Sequence, residues 1–203
     1  MIDYSKKNVI VNGKVKLTEE KYGVIQIAGK ASSEQNIEAD KISVDGKIKI
    51  NGNVNVGLDF TVSGKCKMNN LSASSVFVKG RIDANKILAK NINVYMSSDC
   101  SVNEINCNDL LIKCRNLNEV EAKIGDLILS IFDDSKSYSD RTQNSKMICD
   151  KIYANNVNLT NAEVNEIVAE SAEIGDNCKI NILKYSNKIH IADNSKVNSL
   201  IRI

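Results

Sequence analysis

The 203-residue chain sets 27 Lys and Arg against 25 Asp and Glu, and its net charge of +2 gives no strong overall field for nucleic acid or an anionic membrane surface. The hydrophobic fraction is 42% with only 4% aromatics, so Val, Ile, Leu and Ala must fill whatever core exists. No run approaches the roughly 20 apolar residues of a membrane-spanning helix. The opening MIDYSKKNVIVNGK has no apolar stretch of signal-peptide length, which predicts a cytoplasmic protein.

A short N-terminal tail, residues 1–8, precedes the first period-two apolar pair, Val9/Val11. A phrase then recurs: VNGKVKL from Val11, IAGKASS from Ile27, VDGKIKI from Val44, VSGKCKM from Val62 and VKGRIDA from Val78, at intervals of 16, 17, 18 and 16. Through this region apolar residues come as pairs flanking one polar residue, as in Ile42/Val44, Ile48/Ile50, Val54/Val56, Phe60/Val62 and Cys66/Met68. Each pair is a fragment of strand alternation, and helical spacing is not sustained. Three pairs span one interval of the phrase, so one interval reads as one coil of three short strands. Stacked coils of 16–18 residues predict an all-β, single-domain parallel β-helix. Val44, Val62 and Val78 then stack inside, and the chain turns at Gly46, Gly64 and Gly80, where glycine accepts positive φ without a Cβ penalty.

The coils are expected to run over residues 9–132 and to resume over 147–203, around DDSKSYSDRTQNSK, residues 133–146, a polar loop extruded from one corner. Just before that loop, LILSIF from Leu127 to Phe132 is apolar on both alternating faces and needs cover from the loop or from another chain. Roughly twelve coils at about 4.8 Å each predict a rod of roughly 50 to 60 Å.

Candidate chemistry is sparse. Six cysteines, Cys66, Cys100, Cys107, Cys114, Cys149 and Cys178, include no Cys-x-x-Cys pair, and His190 is the lone histidine. In the coil register the cysteines fall on inward positions, where a reduced thiol packs as a small apolar group. His190 points outward between Ile189 and Ile191. The acids Asp83, Glu104 and Glu163 are scattered outward, Asp133 and Asp134 lack the spaced oxygen ligands of a calcium loop, and no phosphate loop occurs. The expectation is a protein that is not an enzyme, with no catalytic residue, metal or cofactor and no nucleic-acid partner.

Two sets of surface residues suggest assembly. A β-helix has open ends, and here no amphipathic capping helix stands at either terminus. Val9, Val11, Val15 and Leu17 in the first coil, and Val197, Leu200, Ile201 and Ile203 in the last segment, are apolar and β-prone, which suits end-to-end stacking on another copy. Phe77, Leu88, Leu111 and Phe132 are candidate lateral or partner contacts, with Phe77 and Leu111 expected on one face and Leu88 on another.

The series VDGKIKINGNVNV (Val44 to Val56), KIYANNVNLTNAEVNEIVAESAEIGDNCKI (Lys151 to Ile180) and ILKYSNKIHIADNSKVNSL (Ile182 to Leu200) resembles the bactofilins, bacterial polymer-forming cytoskeletal proteins. That resemblance implies right-handed winding, nucleotide-independent filaments and a scaffolding role for envelope-shaping or motility machinery, with a protein of that machinery as partner. With no proline and only about eight residues before Val9, membrane association is expected to be peripheral at most. The expected function is a self-assembling filament. The alternative is a non-polymerising β-helical adaptor that binds a protein through residues 127–146.

Overall fold

The computed structural model describes residues 6–114 and 145–203. These residues form thirteen strands and no helix, and every strand pairing is parallel. The result is a β-solenoid of about 10 turns, about 17 residues per turn.

The inward pairs are the core. Ile42, Val44, Ile48, Ile50, Phe60, Val62, Val76 and Val78 are all 2% exposed or less. Parallel pairing sets Val44 over Val62 and Val62 over Val78, and it sets Cys66 in the slot that Ile48 fills one coil earlier. Because Val and Ile at alternate positions leave a polar residue on the other face, each coil seals its interior while remaining wetted outside.

Most strands run longer than three-residue pairs, while Val54–Val56 and Asn70–Ser72 keep that length. One coil, β9 (Cys100–Cys114), is continuous over 15 residues and carries the pairs Cys100/Val102, Ile105/Cys107 and Leu110/Ile112 around its corners. At the glycine corner the strand pairing runs through the bend without a break. In the first coils the bend is a glycine with φ between +117° and +145°, at Gly13, Gly29, Gly46, Gly64 and Gly80, all in one register column.

The coil count is a correction to the sequence reading. Strand β10 (Met147–Leu159) pairs directly with β9, Met147 opposite Cys100 and Leu159 opposite Ile112. No rung stands between them, so the rod has about 10 turns rather than twelve. At about 4.8 Å per rung this is roughly 48 Å of stacked coil. Leu127 to Phe132 and loop residues 133–144 lie outside the described residues.

Cys114 also departs from the expected core position. It is half-buried in the register column of the glycine corners, opposite Met96, and its thiol donates to the Ser145 carbonyl at 3.1 Å. The other five cysteines are buried and reduced.

Candidate assembly surfaces

The two ends of the rod expose what the middle encloses. Strand β13 (Lys196–Arg202) is the last rung, with Leu200 directly beneath Leu183. Leu183 is 0% exposed and Leu200 is 50% exposed, although both point inward. The difference is the absence of a following rung. Ile201 at 40% and Ile203 at 63% extend this apolar end, while Val197 is half-buried beneath Ile180.

At the other end, β1 (Val9–Lys16) pairs only with β2 (Lys21–Ser33). Val9 and Val15 are half-buried against the core and Val11 is half-buried, whereas Leu17 is enclosed at 2%. Ile10, which alternation turns outward, is 73% exposed and is the largest apolar exposure at this end. Ile10 is not among the end residues singled out from the sequence.

The lateral candidates fall as expected in register. Phe77, Asn93 and Leu111 form one outward ladder, and Leu88 lies in another column opposite Ser72 and Asn106. Phe77 and Leu111 are half-buried, and the Phe77 ring packs tilted at 48° against Tyr95 of the next coil, with centroids 5.7 Å apart. Leu88, 46% exposed, stands more open. Phe132 lies outside the described residues.

A feature missed in the sequence is a seam of asparagines down one corner. The side-chain amide of Asn70 donates to Asn53 Oδ1 at 2.9 Å, Asn85 to Asn70 at 3.3 Å and Asn103 to Asn85 at 2.8 Å. Farther along, Asn165 donates to Asp150 at 3.0 Å, Asn181 to Asn165 at 3.1 Å and Asn198 to Asn181 at 3.4 Å. The signal was present, since Asn53, Asn70, Asn85 and Asn103 recur at intervals of 17, 15 and 18.

Two shallow grooves flank the C-terminal coils. The larger, of about 850 Å³, is lined by Asn93, Leu111, Asn158, Glu173, Lys188 and the exposed His190, among others. Its acids are engaged: Asn156 donates to Asp109 at 2.8 Å and Asn158 donates to Glu173 at 2.5 Å. Among the described residues no group of three His, Cys, Asp or Glu side chains is placed to hold a metal ion. Burial pushes the Cys66 thiol well above its ordinary value, and it raises Cys107 and Cys149 to about 12, so these groups stay protonated and inert as nucleophiles.

In comparison with known proteins, no family, no curated protein and no solved structure matches this chain.

Proposed function

We propose that this chain is a structural protein whose solenoid stacks end to end on further copies to form a filament. The observation that carries this reading is the fit between the two ends. One inward ladder begins at Val9 and passes through Ile25, Ile42, Phe60, Val76, Ile92, Leu110, Val157 and Ala172 to Ile189. A parallel ladder begins at Val11 and closes at Ile191. Strand β13 covers only the first half of β12 (Lys179–Ile191), from Lys179 to Tyr185, and leaves Ile189 and Ile191 without a rung.

The missing half-rung is the half that β1 supplies. Val9 and Val11 of a second copy seat on Ile189 and Ile191 of the first, and the apolar columns continue across the junction. Unpaired strand edges at both ends gain a full set of ladder hydrogen bonds in the same step. Such a contact joins two different surfaces and does not close on itself, so it propagates as a filament. The rhythm of the Val-x-Gly-Lys phrases supports kinship with the bactofilins, and with it the scaffolding role that those proteins serve.

Negative-stain electron microscopy and sedimentation of the purified protein, beside a Leu200→Asp, Ile201→Lys variant, test the reading. The parent is expected to form filaments, and the variant is expected to remain as short rods with an unchanged far-UV spectrum. Single short rods from the parent at every concentration would overturn polymerisation and move the assignment to a monomeric adaptor.

A further inference from the structure

The net charge of +2 conceals a segregation of charge along the rod. Each glycine corner of the first coils is followed by a cation, and strand pairing stacks these as one column: Lys14, Lys30, Lys47, Lys65 and Arg81. Two residues on, with one inward side chain between, a second column on the same face reads Lys16, Ser32, Lys49, Lys67 and Asp83. The seven lysines are exposed, and among the described residues none is within ion-pair distance of an acid. Arg81 is the exception, paired to Asp83 at 2.8 Å at the edge of the patch.

Apart from Asp83, the neighbouring acids lie beyond the two corners that bound this face. Asp45 precedes the glycine column, and Glu34 follows the next corner, where it accepts a hydrogen bond from Asn51. Stacked strands hold successive cations of the first column about 4.8 Å apart, over roughly 19 Å of rod from Lys14 to Arg81. Like charges opposite each other on adjacent strands are destabilising. A fold that only needed solubility would intersperse the two signs, as other faces of the rod do with Lys21–Glu38 and Lys184–Glu166.

We propose that this face docks on an anionic phospholipid bilayer. The face is flat, two columns wide, and made of flexible ammonium groups, so it complements a plane of negative headgroups. Its two columns hold no aromatic side chain on which a base could stack, and neither of the grooves described above lies on it. It also has no exposed apolar anchor such as holds a protein partner in place once charge has steered it in. Adsorption to an acidic membrane needs charge alone, with each lysine near the surface contributing roughly a fivefold gain in partition.

Flotation of the full-length protein with vesicles tests this. Phosphatidylserine-containing vesicles are compared with pure phosphatidylcholine, for the parent, for a Lys30→Gln, Lys47→Gln, Lys65→Gln, Lys67→Gln variant, and for a control, Lys90→Gln, Lys113→Gln, Lys188→Gln, Lys196→Gln. The expected result is salt-sensitive binding to the acidic vesicles only, reduced on the order of several hundred-fold in the first variant and far less in the control. Relief of lysine repulsion leaves the first variant folded, which thermal denaturation monitors. Equal losses in both variants, or no vesicle binding by the parent, would overturn the assignment. Retention of the parent on polyglutamate or on nucleic acid without vesicle binding would also overturn it and would move the face to that polyanion.

Discussion

The first coils and the last coils enclose the same kind of core but turn their corners by different chemistry. In the N-terminal coils, a Cβ built on Gly29, Gly46, Gly64 or Gly80 would lie 1.9 to 2.1 Å from the carbonyl oxygen of the glycine one coil before. The backbone is packed on itself at this corner, and no side chain fits. After Gly80 the same column passes to Met96 and then to Cys114, so the glycine requirement ends. The C-terminal coils turn instead at Asn161 and Asn177, with φ of 53° and 58°, and the amide of Asn177 donates to Asn161 at 3.3 Å. Asparagine tolerates the left-handed conformation and stacks a side-chain hydrogen bond on it. Positive φ is therefore one way to turn a corner and not a requirement, since Met96 and Cys114 continue the glycine column without it, and whether a positive-φ residue must also lack a side chain depends on how closely the coils approach there.

Substitution at the two kinds of corner should separate them most sharply. Gly64→Val places a branched side chain at φ +129°, against a carbonyl oxygen 2.0 Å from the new Cβ. The expected cost is about 4 kcal/mol or more, since both strain and a steric clash apply. Asn177→Ala loses only the left-handed preference and one exposed hydrogen bond, about 1 kcal/mol. Hydrogen exchange localises the damage, which should centre on the glycine-cornered coils because each coil contacts only its neighbours. Comparable losses of protection in the two variants would refute the distinction between the corners.

How much of this was legible in the sequence follows from what a linear reading can see. Period-two pairing identifies inward residues wherever both neighbours in the stack are present, which is why Ile42, Val62 and Ile105 are buried as expected. It fails at the ends, where Leu183 and Leu200 follow the same rule yet differ because only one has a rung below. The glycine of Val-x-Gly-Lys served as a marker of the corner, but the lysine beside it was averaged into a near-neutral net charge. Columns of like residues exist only after coiling brings positions 16 to 18 apart into contact, as with Lys30, Lys47 and Lys65. The asparagine seam was overlooked for the same reason. Coil number failed because length was divided by the repeat, whereas β10 joins β9 directly.

The shared core offers a second test, of whether both halves are equally sealed. Burial raises Cys66 in the N-terminal half and Cys149 and Cys178 in the C-terminal half, with Cys149 at about 12. A thiol whose folded value is raised holds its proton more tightly folded than unfolded. Its stabilising contribution is complete below the ordinary value of 9.0 and is lost as pH rises toward the folded value. Stability should therefore fall between about pH 9 and 12, the window set by Cys107 and Cys149. At about pH 8, below the ordinary thiol range, a thiol reagent should label the half-buried Cys114 first in the native protein, and all six thiols once it is denatured. Rapid native labelling of Cys66 or Cys149 would mean that the coil around that residue opens.

The smallest effect is expected at the junction of the two halves. Every amide of the asparagine seam donates toward the N-terminal end, Asn103 to Asn85 on one side and Asn165 to Asp150 on the other. Asp150 lies in register between Asn103 and Asn165, where β9 meets β10. A carboxylate there accepts from Asn165 but has no proton to give to the Asn103 oxygen. Asp150→Asn supplies that donor and joins the two runs into one. Because the seam is exposed, the gain should be modest, about 0.5 kcal/mol. Thermal denaturation should show a small rise in midpoint, accompanied by slower exchange in β9 and β10. A fall in midpoint would show that the carboxylate is favoured at the junction, and that the two halves are coupled there by charge rather than by a continuous amide ladder.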